Sequence, residues 1–499
     1  MDLSVELLKL SVADGGGEDR LSALPDDLLI HILVLVKDAA AAARTSILAS
    51  RWRRLWPLLP ELRFGSIEHH LIGAALAAHE APDLSLILAH TKDASPESLS
   101  AWLPIAARSL SGAIQLKVVR LESETEAEAG DRGDIDLPCF KKATTIMLEL
   151  GFLGLALPPS GVFAQLGDLK LVDIQLHGQS SGLGDLLSSQ RCPSLRFLLV
   201  SDVRGLDSFN IQSDSLLHMK LSYLHHLKQL TVMAPALKKL KVSRCFADPL
   251  NPDLSVANIS APQLTSLGWK NIIEPSSTQL DKMMHLEKLG IELFIVEAEE
   301  VFEHNQYCMT LLRRFQRIHT LDLLIYYPPA ICTGPYLMEH MPRLPDITSL
   351  ELCVVANGHS FGANAFDVLR RCPGVKKLDL DFLSESQLEE QTMCPSGCIC
   401  DQPQNWRTEE LVLNCLEEIE IHDMRGTEHE VAFVQRIFYW TPVLKRMQII
   451  FHESETESKA KELSQLLLSY ADMKISSCMI LGHHFVAHTG FSAAALPLG

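Results

Sequence analysis

Three closely spaced cysteines are the first candidates for chemistry in this 499-residue chain. Cys394, Cys398 and Cys400 fall within seven positions, and Cys415 follows them. Clustered thiolates can hold a zinc ion, but structural zinc sites are built from two ligand pairs. No histidine lies within ten residues of the cluster on either side. We therefore predict a surface loop here, with zinc binding as the alternative.

Adjacent histidines are the other candidates for metal ligands or general bases, and they occur as His69-His70, His225-His226 and His483-His484. Such pairs in amphipathic or surface segments are usually solvated. The sequence also contains no Gly-x-x-x-x-Gly-Lys phosphate-binding loop and no His-Glu-x-x-His zinc helix. We predict no catalytic residue, no metal site and no cofactor.

The charge and composition exclude several classes of protein. A formal net charge of -18 argues against binding to nucleic acid or to anionic membranes, since both require basic surface. No apolar run approaches the ~18 residues that span a bilayer, and residues 1–20 lack a signal-peptide pattern. Twelve cysteines are too few for a disulfide scaffold of this length. We expect the protein in the cytoplasm, the nucleus or both.

Residues 24 to 56 predict short helices that leave apolar surface unburied. Pro25, Asp26 and Asp27 indicate a helix start, because proline tolerates the first turn and carboxylates favour the positive end of the helix dipole. A unit of about forty residues is too small to bury two tryptophans and its many aliphatic side chains alone. We expect a partner or a neighbouring domain to cover these residues: Leu24, Pro25, Leu28, Ile32, Leu33, Leu48, Trp52, Leu55 and Trp56.

This segment resembles the F-box of plant F-box/leucine-rich-repeat proteins. The run from Leu24 to Leu28 matches the opening of that motif, and Arg44-Thr45-Ser46, Trp52 and Leu55-Trp56 match its second half. Ala49 and Ser50 depart from the usual serine and basic residue. The resemblance implies that the nine residues above bind the Skp adaptor and, through it, a cullin. The alternative is an ordinary helical hairpin packed on the next domain.

A Leu-x-x-Leu-x-apolar pattern then recurs along the chain, mostly every 21 to 32 residues, which is typical of leucine-rich repeats. Alternate residues of each strand would point inward, so each coil needs neighbours to bury its face. The step from Leu216 to Leu227 is only 11 residues, which predicts that one of these strands lies on the outer side of the solenoid. An ordinary α/β domain is the alternative. The copies begin at Leu195, Leu216, Leu227, Leu237, Leu264, Leu286, Ile318, Ile347, Val375, Leu416 and Leu444.

The chain from Trp406 to about Phe451 resembles the FBD region that follows the repeats in the same plant family. Its pattern predicts a strand, a turn at Gly426, a helix from Glu428 to Tyr439, a proline stop and another strand. Such a segment would cap an open array.

The fold class that we predict is α/β, with a helical F-box, a curved leucine-rich-repeat solenoid and an FBD-like C-terminal cap. The expected boundaries are 1–19 for an acidic leader, 20–64 for the F-box, 65–405 for the solenoid, 406–485 for the cap and 486–499 for a tail.

Two functions fit these features. The resemblance implies a non-catalytic substrate-recognition subunit of a Skp-cullin-F-box ubiquitin ligase, with a target protein held by the repeats. The alternative is an interaction scaffold whose F-box is vestigial. An enzyme in its own right is a third alternative, with less support than the other two.

The residues between the inward leucines supply the expected target surface. Its charge changes along the array from basic to acidic, so we hypothesise that the target presents an acidic segment to the early coils and a basic one to the late coils. The basic positions are His218, Lys220, Lys239, Lys241 and Lys288, and the acidic ones are Asp322, Glu351, Asp379, Glu418 and Glu420.

Overall fold

The computed structural model of the protein divides into two compact units. The first is Met1–His177 with Gln190–Cys192, and the second is Gly178–Ser189 with Pro193–Gly499. The predicted leader and most of the predicted tail lie outside the residues that the structure describes. Those residues are 21, 24–65, 69–92, 94–119, 133–177, 182–224, 227–246, 255–271, 277–295, 299–328, 338, 341–383, 400, 404–471, 477–482 and 485–489.

The first unit begins with the predicted helix. Helix α1 (Asp26–Leu35) follows Pro25 and carries Asp26 and Asp27 in its first turn. Helix α2 (Ala39–Arg44) is capped by Asp38, whose carboxylate accepts from the Ala41 amide at 2.6 Å. The next stretch, residues 45–58, winds more tightly than the α-helices before it. It consists of separate 3₁₀ turns, at Thr45–Ile47, Trp52–Arg54 and Trp56–Leu58.

The rest of the first unit alternates strands and helices and forms a parallel sheet in the order β1-β2-β3-β5-β7. Trp102 is fully buried in this unit. The elements are β1 (Glu61–Gly65), α3 (His69–Ala77), β2 (Leu84–Lys92), α4 (Pro96–Ser109), β3 (Leu110–Val119), β4 (Asp134–Asp136), β5 (Thr145–Glu149), β6 (Gly154–Ala156) and β7 (Asp168–Gln175).

The second unit contains two sheets of repeat strands. The smaller sheet is β9 (Ser208–Gln212), β11 (Gln229–Met233), β13 (Val256–Ser260) and β15 (Ser277–Leu280). The larger sheet is parallel except for its last pair. Its strands are β8 (Phe197–Arg204), β10 (His218–Ser222), β12 (Lys239–Ser243), β14 (Ser266–Lys270), β16 (Lys288–Phe294), β17 (Thr320–Tyr326), β18 (Ser349–Val355), β19 (Lys377–Leu383), β20 (Glu418–Met424), β21 (Arg446–Phe451), β22 (Ser477–Gly482) and β23 (Phe485–Thr489).

The Leu-x-x-Leu-x-apolar pattern marks the inward-facing residues of the strands, as predicted. In every copy from Leu195 to Leu444 the three pattern residues are buried, while most residues between them are not. The short step at Leu216 is also explained, because β10 lies in the larger sheet and β11, which carries Leu230, lies in the smaller one. The described chain is therefore a mixed α/β repeat protein.

Helices connect the later strands of the second unit. Helix α8 begins where the sequence predicted, at a capping box formed by Thr427 and Glu430. No helix within the described ranges is both long and apolar enough to cross a membrane. The helices of this unit are α5 (Gly182–Leu186), α6 (Glu299–Arg314), α7 (Gly362–Arg371), α8 (Glu428–Trp440) and α9 (Glu457–Ala471).

Candidate interaction surfaces

The first candidate site is a set of exposed apolar residues near the N-terminus. On α1 they recur at the spacing of one helix face, and Ile47 and Leu48, in the first 3₁₀ turn and just after it, are 85% and 70% exposed. We call this set the N-terminal apolar surface: Leu28, Ile32, Leu35, Val36, Ile47 and Leu48. Single exposed leucines are ordinary, but a concentration of large exposed apolar side chains is typical of surfaces that contact another molecule.

The predicted adaptor-binding residues divide between surface and core. Pro25, Leu28, Ile32 and Leu48 are exposed, and Leu24 and Trp56 are half-buried.

Leu33, Trp52 and Leu55 are buried inside the first unit, so their predicted place on the surface is corrected. The reason is local geometry. Helix α1 turns Leu29 and Leu33 inward, and the 3₁₀ turns separate Leu48 from Trp52. Sequence reasoning missed Leu35, Val36 and Ile47, although Leu35 lies two turns after Leu28 on the same helix.

Arg51 joins the two halves of this segment. Its guanidinium donates to the Asp26 carboxylate at 2.7 Å and to the Leu24 carbonyl at 2.7 Å. The start of α1 is thereby fixed to the turns that carry Leu48, which orients the N-terminal apolar surface.

The second candidate site is the outward face of the larger sheet, where the strand register brings the predicted target residues together. Lys220 pairs with Lys241, Lys241 with Gly268, and Gly268 with Gly290. The same row continues through Asp322, Glu351, Asp379 and Glu420. The next row holds His218, Lys239, Ser266, Lys288, Thr320, Ser349, Lys377, Glu418 and Arg446.

Most charges in the later coils neutralise one another across the strands. Lys270 Nζ lies 2.7 Å from Asp322 Oδ1, and Lys288 Nζ lies 2.6 Å from Glu351 Oε1. Arg446 reaches Glu418 and Glu420 at 3.0 and 3.1 Å, and Lys377 also approaches Glu420. Lys288 is therefore engaged within the sheet rather than available to a target.

Lys220, Lys239 and Lys241 differ from these cations, and we call them the lysine strip. All three are exposed, and within the described ranges none forms an ion pair. Desolvation on the sheet lowers the pKa of Lys241, and Lys270 lowers it further. Desolvation and then Lys239 similarly lower the pKa of His218.

Asp379, Glu420 and His422 form a third cluster on this face. His422 Nε2 lies 3.4 Å from Asp379 Oδ1 and 3.9 Å from Glu420 Oε2. Such a group could hold a metal ion, although sequence reasoning predicted no metal site. Glu420 already contacts Lys377 and Arg446, whose charges a bound cation would oppose.

The cysteine cluster and the histidine pairs lie mostly outside the described residues. Cys400 is buried and Cys415 is exposed. His69 is half-buried, and desolvation lowers its pKa.

Replacing Asp381 by asparagine is expected to stabilise the second unit at neutral pH. Burial raises the pKa of Asp381, the Asp423 carboxylate adds to the shift, and Asp381 Oδ1 accepts no hydrogen bond from the described residues. A raised carboxyl pKa means that the folded state holds the proton more tightly than the unfolded state. Ionisation therefore costs stability above the folded pKa, and this cost vanishes below the unfolded value of about 3.9.

Urea denaturation at pH 7 should show a gain of about 1 kcal/mol for Asp381→Asn, which shrinks as the pH approaches 4. The control is Asp214→Asn, at an exposed position of the same unit, which should change stability little. A loss of stability for Asp381→Asn at pH 7 would contradict the argument.

The fold of the described residues first indicates the class of protein. The described chain has repeating parallel strands with buried Leu-x-x-Leu-x-apolar positions, and it is a leucine-rich-repeat type of protein. Comparison with known proteins then narrows this class. Residues 129–323 match the family model described as the LRR repeats of FBD-associated F-box protein At5g56370.

Relatives extend the similarity over most of the chain. It is 26% identical to the putative F-box/FBD/LRR-repeat protein At4g03220 of Arabidopsis thaliana, over 83% of this chain and 85% of that protein. FBD-associated F-box protein At3g52670 is 28% identical over 50% of this chain and 58% of its own length. F-box protein At3g59000 is 23% identical over 91% of both chains. The resemblance to plant F-box/leucine-rich-repeat proteins of the FBD-containing type is confirmed.

Proposed function

We propose that this protein is the substrate-recognition subunit of a Skp-cullin-F-box ubiquitin ligase. Residues 20–64 form the F-box that docks on the Skp adaptor, and the repeats bind a target protein. The observation that carries this proposal is the N-terminal apolar surface. It places six exposed large apolar side chains within residues 28–48, in a segment whose sequence resembles an F-box.

The proposed role requires no reaction at a residue of this chain. The receptor holds the target and the ligase at one time, so it raises the local concentration of the target beside the conjugating enzyme. The partner ligase then carries the chemical step. This role assigns the protein to the cytoplasm, the nucleus or both.

The C-terminal region from 406 to 485 acts in this proposal as the FBD-like cap of the repeat array. Strands β20 and β21 continue the larger sheet in register with β19. Helix α8 buries Phe433 and Trp440 against Phe361 and Phe366, residues at or within helix α7 of an earlier repeat. An open array requires such an end, because its last coil would otherwise expose apolar residues.

Replacing Leu28 and Leu48 by serine is expected to weaken capture of a purified plant Skp adaptor. Both side chains are exposed, so their loss removes apolar contact area without opening a cavity in the unit. Central contacts of this kind are worth about 2 kcal/mol or more, which corresponds to roughly a 30-fold weaker Kd. Binding would be measured by titration on immobilised adaptor, with circular dichroism as the test of folding.

The matched control is the double variant Met284→Ser, Val412→Ser, which removes two exposed apolar side chains from the second unit. It should bind the adaptor as the natural chain does. If the Leu28, Leu48 variant also binds unchanged, the N-terminal apolar surface is not the adaptor site. If the natural chain captures neither adaptor nor cullin, the scaffold with a vestigial F-box is the better description.

A further inference from the structure

The lysine strip stands out on the outward face of the larger sheet because none of its three lysines forms an ion pair with a described residue. Lys239 and Lys241 lie on β12, and Lys220 is the register partner of Lys241 on β10. Neighbouring strands are about 5 Å apart, and alternate residues of a strand are about 7 Å apart. The backbone positions of the three lysines and of His218 are therefore separated from their nearest neighbours in this group by only about 5 to 7 Å.

The rest of this face offers a target much less free charge. Moving along the sheet from the strip, Lys270 and Lys288 are bound to Asp322 and Glu351. Beyond them Arg446 is shared by Glu418 and Glu420. The hypothesis that the late coils bind a basic segment therefore loses support, since most of their carboxylates already have cations.

The like charges of the strip also act on each other. Burial is the main cause that lowers the pKa of Lys241; the neighbouring Lys270 and then Lys220 of the strip lower it further, and Asp322 offsets part of their effect. Lys239, Lys238 and Arg196 lower the pKa of His218 beyond the effect of its desolvation. A bound anion would relieve this repulsion, so the strip favours an anionic ligand.

We propose that the lysine strip binds a short acidic segment, rich in aspartate and glutamate, of the target protein. This inference rests on the proposed function for the identity of the ligand as a target protein. A peptide segment fits better than a nucleic acid, because the strip covers only two adjacent strands and the chain as a whole carries a charge of -18. A long polyanion would extend from the strip towards Asp322 and Glu351, whereas a few acidic residues would not.

The test uses a fluorescein-labelled hexaglutamate peptide and the full chain, with binding followed by fluorescence anisotropy at low ionic strength. The variant Lys239→Glu, Lys241→Glu should bind at least about tenfold more weakly than the natural chain, because it replaces attraction of the acidic peptide by repulsion. Binding to the natural chain should disappear at about 1 M salt, where the screening length falls to about 3 Å.

The matched control is Lys141→Glu, Lys142→Glu, an exposed pair of adjacent lysines in the first unit. Each double variant replaces two positive by two negative charges, so each lowers the net charge by 4, from -18 to -22. The control should stay within about twofold of the natural chain. An equal loss in both variants would show a response to net charge alone and would overturn the proposal.

Two other results would also overturn it. One is the absence of hexaglutamate binding at low salt, and the other is tighter binding of a single-stranded oligonucleotide than of the peptide. Adaptor capture by the same variants separates this inference from the proposed function. The strip variant should still capture the adaptor. If the natural chain binds hexaglutamate but no adaptor, the ligase role fails while the acidic-segment site stands.

Discussion

The substitution Leu240→Asp is expected to unfold the second unit. Leu240 is 1% exposed on β12 between β10 and β14, so its carboxylate would be buried without a partner. Losing a buried leucine alone costs about 2–5 kcal/mol, and an unpaired buried charge adds several more. The sum is comparable to the 5–15 kcal/mol that holds an ordinary domain together. Each coil is stabilised by its neighbours, so the damage should spread along the array.

The measurement is soluble yield, followed by limited proteolysis and circular dichroism. Lys239→Asp is the control, because it introduces the same carboxylate at the exposed neighbouring position of the same strand. It should remain folded. Leu378→Asp, at the equivalent buried position of β19, should behave as Leu240→Asp does. Soluble, protease-resistant protein from either leucine variant would show that the strand register is wrong.

Truncating Phe433 to alanine should destabilise the C-terminal part of the second unit by about 3–5 kcal/mol. Phe433 is fully buried on α8, and its ring lies 5.3 Å from that of Phe361, 6.2 Å from Trp406 and 6.0 Å from Trp440. Removing the ring leaves a cavity and deletes three aromatic contacts at once. Equilibrium unfolding in urea measures the loss.

Tyr439 provides the comparison, because it is an aromatic residue on the same helix but is 56% exposed. Tyr439→Ala should cost less than about 1 kcal/mol, in line with substitutions at the surface. Equal effects of the two variants would mean that α8 is not held to the repeats by its buried aromatic side.

Local sequence patterns determined a large part of this structure. The Leu-x-x-Leu-x-apolar copies located the strands and their inward positions, since alternation in a strand leaves one buried face whatever the neighbouring strand is. The start of α1 at Pro25 and the capping box at Thr427 depend only on residues within one turn of the helix. The resemblance to FBD-type F-box proteins followed from the same local motifs.

Tertiary structure decided which of these residues remain available to a partner. Trp52 and Leu48 have similar apolar character, and only the fold of the 3₁₀ turns buries one and exposes the other. The short step at Leu216 indicated one strand of the smaller sheet, but not its partners β9, β13 and β15, because these strands pair across different coils. Lys288 and Glu351 are 63 residues apart, so their pairing depends on the strand register. The sequence determines the sign of each charge, but which charges are neutralised depends on long-range contacts.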